Sequence, residues 1–181
     1  MSQTAASQSY TGVAKTLHWV IMILLALMLY GGWAAEGLPR EERLVALQGH
    51  AGLGIIVLVL MIARLLWRAI HPAPPLPDDL PRWQRIAATA THHSLYLAVI
   101  LQPLAGLAMT MTSSRRNLRP FDLFGLQVAP NQAIHSIGHD LHAILPIVII
   151  ALIAAHAAAA LYHHFVRRDN VLKRMLPFAK A

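Results

Sequence analysis

The sequence predicts an all-α integral membrane protein, a four-helix bundle forming a single domain over 1–181. Three observations predict it. Of 181 residues, 56% are hydrophobic and 13% charged, whereas soluble domains are nearer a quarter charged. Four apolar segments, at 17–35, 48–67, 92–112 and 137–165, are long enough to cross a hydrocarbon layer about 30 Å thick, some with tilt. Histidines recur in these segments at depths that match from one segment to another.

The first span follows MSQTAASQSYTGVAKTLHWV, which lacks the charged start and the small-residue cleavage site of a secretory signal. It is therefore expected to stay as a transmembrane helix. The charged turn EGLPREER leads to the second span. Next comes RAIHPAPPLPDDLPRWQR, whose prolines preclude a continuous helix. The longest connection, SSRRNLRPFDLFGLQVAPNQA, joins the third span to the fourth. Pro103 and Pro146 lie inside those two spans, as kinks that neighbouring helices support in membranes. No internal repeat is visible, and the nearest thing to a low-complexity tract is HPAPPLPDDLP.

Basic residues near the span ends set the expected orientation. Lys15, Arg64, Arg68, Arg82, Arg85, Arg167, Arg168, Lys173, Arg174 and Lys180 fall on one side. Arg40, Arg43, Arg115, Arg116 and Arg119 fall on the other. Both termini lie on the richer side, which predicts cytoplasmic termini in a multi-pass membrane protein. The net charge of +7 is spread along span ends and forms no long patch, so nucleic acid is not an expected partner.

Among eleven histidines, the most informative are His142 and His156, fourteen residues apart in HAILPIVIIALIAAH. That interval is close to four helical turns, about 21 Å of rise, with both side chains on nearly the same face. An ionisable residue inside a membrane is a functional-site hypothesis by default. His18 opens the first span at its cytoplasmic end, and His50 opens the second at the outer end. Depth matching therefore pairs His18 with His156 inside and His50 with His142 outside. Facing imidazoles from different helices suit six-coordinate b haem, and a saturated iron suits electron transfer rather than oxygen binding. The predicted fold is thus a bundle with two bis-His b haems between its helices. The absence of cysteine excludes iron–sulfur clusters, thiolate ligation and thioether-bound haem.

Small residues beside the ligands fit a flat macrocycle: Gly49, Gly52 and Gly54 around His50, Ala155 and Ala157 to Ala160 around His156. They equally fit ordinary small-residue packing of membrane helices. Arg64 is the candidate for a haem propionate, with Arg68 nearer the surface; snorkelling is the plainer alternative. His135, His139 and His142 have the i, i+4, i+7 spacing of a zinc face, but His142 cannot serve both metals. His163, beside His164 at the end of the fourth span, is the candidate to hydrogen-bond a quinone and relay a proton; an interfacial polar collar is the alternative. His92 and His93 open the third span in the same way, and His71 reads as loop.

At these residues the chain resembles the bacterial cytochrome b561 family of di-haem membrane cytochromes. KTLHW, QGHAGLGIIVLVLMIARLLWR, HHSLYLAVILQPLAGLAM, FDLFGLQVAP and HAAAALYHHFVRRDNVLKRMLP carry the resemblance, in order, over nearly the whole chain. It implies a four-helix bundle with two b haems, and its ligand pattern falls on His18, His50, His142 and His156. It also implies a quinone as electron partner. Within the family, a superoxide oxidase activity implies superoxide as the periplasmic donor and ubiquinone as acceptor. Arg115, Arg116 and Arg119 would attract a small anion to the outer mouth, although a solvated charge cluster looks the same in sequence. Some relatives place Glu directly after the outer fourth-helix histidine; this chain has Ala143, which offers no carboxylate there. Two other functions stay open at this stage. One is a cytochrome b anchor taking electrons from a partner dehydrogenase or hydrogenase subunit. The other is a non-redox structural or channel-like membrane protein.

Overall fold

The structure, a computed structural model, describes residues 9–114 and 128–178. Four helices make up most of it: α1 (Gly12–Ala35), α2 (Arg40–Ile70), α3 (Arg82–Met111) and α4 (Gln132–Tyr162). A π turn (His163–Arg167) and a 3-10 turn (Lys173–Met175) follow α4. Among the described residues there is no strand. All four helices are long and apolar enough to cross a membrane.

The helices run past the apolar spans, and the reason is capping. EGLPREER is expected as a turn, yet α2 begins at Arg40, so its last four residues are helical. Pro39 presets the entry angle, and Glu41 and Glu42 lie in the first turn at the positive end of the helix. α3 begins at Arg82, directly after Pro81, rather than at 92. Arg85 folds back on the connector and donates to the carbonyls of Leu80, Pro77 and Asp78 at 3.1, 2.8 and 2.7 Å. α4 begins at Gln132, where the Asn131 side chain accepts the Ile134 N–H at 3.1 Å. The expected end at 165 falls inside the π turn. Hydropathy registers the length buried in hydrocarbon, whereas a helix continues into water as far as its caps allow.

Packing is most extensive between α3 and α4, then between α1 and α2 and between α2 and α3. The core is formed by Ile21 and Leu25 of α1, Val57 and Met61 of α2, Ala98 and Val99 of α3, and Ile149 of α4. Large apolar side chains such as Leu27, Val59, Leu97 and Ile147 point outward, as helices in lipid require.

The first and last described segments meet at one end of the bundle. Trp67 Nε1 donates to Thr11 Oγ1 and Trp19 Nε1 to the Met175 carbonyl, both at 2.9 Å. The Arg174 carbonyl accepts from Tyr10 N and Ser9 Oγ at 3.3 and 3.1 Å, while the Arg174 guanidinium donates to the Pro75 carbonyl at 2.6 Å. The N-terminal segment, the α2–α3 connector and the C-terminal tail therefore share one cap. At the opposite end Asn131 N donates to the Thr112 carbonyl at 3.0 Å.

Candidate functional site: two facing histidine pairs

The rings that face each other across the bundle are those paired by depth. His18 of α1 and His156 of α4 have ring centroids 6.3 Å apart. His50 of α2 and His142 of α4 have centroids 6.1 Å apart. In both cases the helices carrying the partners approach far less closely than α3 and α4 do, and the imidazoles fill the interval. His18, His50 and His156 make no protein hydrogen bond among the described residues. A packing role for these imidazoles requires such bonds, because a desolvated polar group is costly without a partner.

The separations fit a metal between the rings. With metal–nitrogen bonds of about 2 Å and a ring radius of ~1.15 Å from bonds near 1.35 Å, a linear N–metal–N arrangement puts the centroids roughly 6.3 Å apart. Four imidazoles in two facing pairs, with no thiol in the chain, would suit bis-His b haem.

Local structure orients the outer pair. His142 Nδ1 donates to the Gln102 carbonyl at 3.0 Å, and Gln102 Nε2 donates to the His142 carbonyl at 3.2 Å. A ligating imidazole held by its other nitrogen has its tautomer fixed, which leaves Nε2 as the ligand atom. A Cβ at Gly106 would lie 3.0 Å from His142 Cε1 and 3.1 Å from Nδ1, and one at Gly32 would lie 3.2 Å from His50 Cε1. These two glycines admit the rings. Gly106→Ala is therefore expected to tilt His142 off the Gln102 carbonyl. Haem affinity at the outer site should fall by about tenfold, the lower range for lost support of a ligand, as read by haem titration of the stripped protein. Unchanged affinity would mean that the glycine does not set the ring.

Ile149, seven residues from both His142 and His156, lies on the same face and is 0% exposed. It fills the bundle between the two levels.

A third imidazole lies beside the His18–His156 pair, at a position that in sequence reads, like His163, as either a quinone contact or an interfacial collar. His92 of α3 has its ring 5.1 Å from that of His156, too close to hold a metal linearly between them. Its Nδ1 donates to the Ala88 carbonyl at 2.6 Å. The depth rule that paired His18 with His156 applies equally to a histidine at the start of the third span.

Arg64 lies beside the inner pair. It donates to the Ala14 carbonyl at 2.9 Å, and its guanidinium carbon is 5.8 Å from the centre of the Tyr96 ring, with that of Arg68 at 6.0 Å. Both line a cleft with Tyr10, Trp67 and His71. One donated bond leaves further guanidinium donors for an anion. His163 Nδ1 lies 2.6 Å from Asp169 Oδ2 at the same end.

The zinc face is not assembled. His135 Nδ1 donates to the Met109 carbonyl at 2.7 Å, and His139 pairs with exposed Asp140 at 3.2 Å. No group of three or more His, Cys, Asp or Glu among the described residues could hold a metal ion. Arg115, Arg116 and Arg119 lie outside the described residues.

Comparison with known proteins gives one consistent result. The sequence model for prokaryotic cytochrome b561 matches residues 9–178. The chain is 33% identical to cytochrome b561 homolog 1 of Escherichia coli K12 over 174 residues, covering 91% of this chain and 94% of that protein. It is 29% identical to cytochrome b561 homolog 2 of the same organism over 193 residues, covering 97% and 95%. It is also similar to a probable superoxide oxidase, CybB, of Yersinia pestis, at 30% identity over 180 residues covering 94% and 97%.

Proposed function

The chain belongs to the prokaryotic cytochrome b561 family, haem-containing membrane proteins of electron transfer, and from that premise we propose that it oxidises superoxide at the outer face and reduces ubiquinone. In this reading it is a single inner-membrane domain with both termini cytoplasmic. His50 and His142 hold the outer of two b haems, and His18 and His156 the inner. The observation that carries the proposal is the pair of ring separations, 6.3 and 6.1 Å, on helices that otherwise barely meet.

Haem held by His18, His50, His142 and His156 would supply one-electron redox chemistry. The side chains do the rest. Gln102 orients the His142 ring through the 3.0 Å bond to its carbonyl. Ile149 and the core around it exclude water between the two levels. Arg64 keeps donors free for an inner propionate, in a cleft whose walls are aromatic. Arg115, Arg116 and Arg119 carry the charge that draws a small anion to the outer side. The reaction balances as two superoxide anions losing one electron each to give two O2, while ubiquinone takes two electrons and two protons to give ubiquinol. His163 holds a proton at the inner end for that reduction.

Stopped-flow mixing of the purified protein with superoxide tests the reading. The expected result is fast appearance of reduced b-type bands, followed by reoxidation on adding a short-chain ubiquinone. No reduction by superoxide would remove the proposed donor. Reduction only in the presence of a copurifying redox subunit would favour an anchor role. Absence of b-type bands in protein expressed with ample haem would sink the electron-transfer reading.

A further inference from the structure

His163 continues a register. His142, Ile149, His156 and His163 are spaced by sevens along α4, so they share a face, with His163 about 10 Å beyond His156 toward the chain ends. There α4 loosens into the π turn His163–Arg167. Arg168 then takes a left-handed backbone, φ 56°, which a non-glycine residue adopts rarely. That reversal brings Asp169 back onto the residue six positions before it. The Asp169 N–H donates to the His163 carbonyl at 3.1 Å, and the Asp169 carboxylate accepts from His163 Nδ1 at 2.6 Å.

We propose that Asp169 is the positioning residue that makes His163 the proton donor to the quinone, with Arg167 and Asp79 holding the carboxylate in place. This rests on the quinone-reduction reading above. A carboxylate on Nδ1 fixes the tautomer and stabilises the imidazolium, as in a catalytic triad. Nε2–H is then the donated proton. It passes to a quinone oxygen, the ring takes another from solvent, and two such transfers match the two electrons that complete the quinol.

The surroundings fit a relay rather than a surface ion pair. The His163 and Asp169 side chains are 13% and 20% exposed, while Asp79 on the α2–α3 connector is 74% exposed. Arg167 spans the two acids, its Nε 3.3 Å from Asp169 Oδ2 and its NH2 paired with Asp79. Asp169 Oδ1 accepts the Val171 N–H at 3.0 Å. Burial pushes the Asp169 carboxyl up, but the bonds from His163, the Val171 N–H and Arg167 outweigh it and hold it below the usual carboxylate range. The carboxylate is therefore ionised at neutral pH. Also beside His163 are Tyr162, whose ring centroid is 6.0 Å away, and His164, whose Nδ1 is buried with no hydrogen-bond partner among the described residues.

A purely structural Asp169 would dock the tail without affecting proton delivery, and the two roles separate by experiment. The full-length haem-loaded protein is reduced, then mixed with a short-chain ubiquinone in stopped flow across neutral pH. For wild type, reoxidation should slow as pH rises and the donor is lost. Asp169→Asn removes the charge but keeps an oxygen to cap Val171. It should cut the reoxidation rate about tenfold and move the alkaline limb to lower pH by about one unit, as loss of one charge partner does. Asp169→Glu should restore much of the rate, and His163→Gln should flatten the profile. Haem reduction by superoxide and both haem spectra should be unchanged in all three, which reports an intact fold. An Asp169→Asn protein with the wild-type profile overturns the proposal alone. A wild-type protein that no quinone reoxidises overturns the functional reading and this proposal with it.

Discussion

On the proposed two-haem pairing, replacing His156 with alanine should halve the haem content, from two per chain to one, and leave the His50–His142 site spectrally intact. The expectation follows from geometry. His156 faces His18 at 6.3 Å, and neither ring makes a protein hydrogen bond among the described residues. Alanine leaves the inner iron one ligand. His92 is the nearest replacement, but its Nδ1 bond to the Ala88 carbonyl at 2.6 Å fixes its ring against the position His156 vacates rather than opposite His18. The outer pair is about four turns away along α4, beyond Ile149, and effects at sites more than about 10 Å apart are largely independent. A pyridine haemochrome assay and a reduced-minus-oxidised spectrum read the outcome. Retention of both haems would contradict the pairing. Retention that disappears when His92 is also replaced would make His92 the ligand. Loss of both haems would mean that the inner site holds the bundle together.

The parts of this architecture that were legible in sequence are those set by periodicity. Apolar length marked four membrane-capable helices, and the fourteen-residue interval marked a shared face for His142 and His156. Depth along antiparallel spans then singled out His50 and His18, and these are the rings that face them. What periodicity cannot encode is contact between backbones. The Gln102 carbonyl that receives His142 is forty residues away in sequence, and a main-chain oxygen has no signature. Gly32, Gly106 and Gly138 acquire meaning only when a neighbouring helix is in place. Gly49 and Gly52, beside His50 on its own helix, have nothing within 4 Å of an added Cβ among the described residues, the open surface a flat macrocycle needs. Asp169 was passed over because its approach to His163 depends on a left-handed Arg168, and nothing in HHFVRRDN advertises a reversal at an arginine. The helices extend beyond the apolar spans for another reason: Pro39, Pro81 and Asn131 begin them in polar sequence that hydropathy reads as loop.

Gly138 carries the second large effect. A Cβ there would lie 2.8 Å from the Met109 nitrogen and 2.9 Å from the Ala105 carbonyl oxygen, with the Met109 Cβ at 3.2 Å. The first two are backbone atoms of α3, so no side chain can swing aside, and α3 and α4 must separate. This is the most extensive helix pair in the bundle, and membrane helices depend on such close approach where hydrophobic burial between them is weak. Gly138→Ala is expected to cost about 2 kcal/mol, within the range for overpacking a tight contact, and to lower thermal stability in detergent. The damage should be local to the outer end. His135 donates to the Met109 carbonyl at 2.7 Å, directly at the clash, and His142 lies one turn further along α4, held by Gln102 of α3 at 3.0 Å. Forcing α3 away lengthens both bonds and frees the His142 ring, so the outer haem should dissociate before the inner one on heating. Gly12→Ala, where an added Cβ meets nothing within 4 Å, should leave both stability and haem content near wild type. Equal losses in the two variants would mean that glycine content, rather than the α3–α4 contact, is what the protein feels; an early outer-haem loss in Gly138→Ala alone would tie the outer ligand geometry to the distance between these two helices.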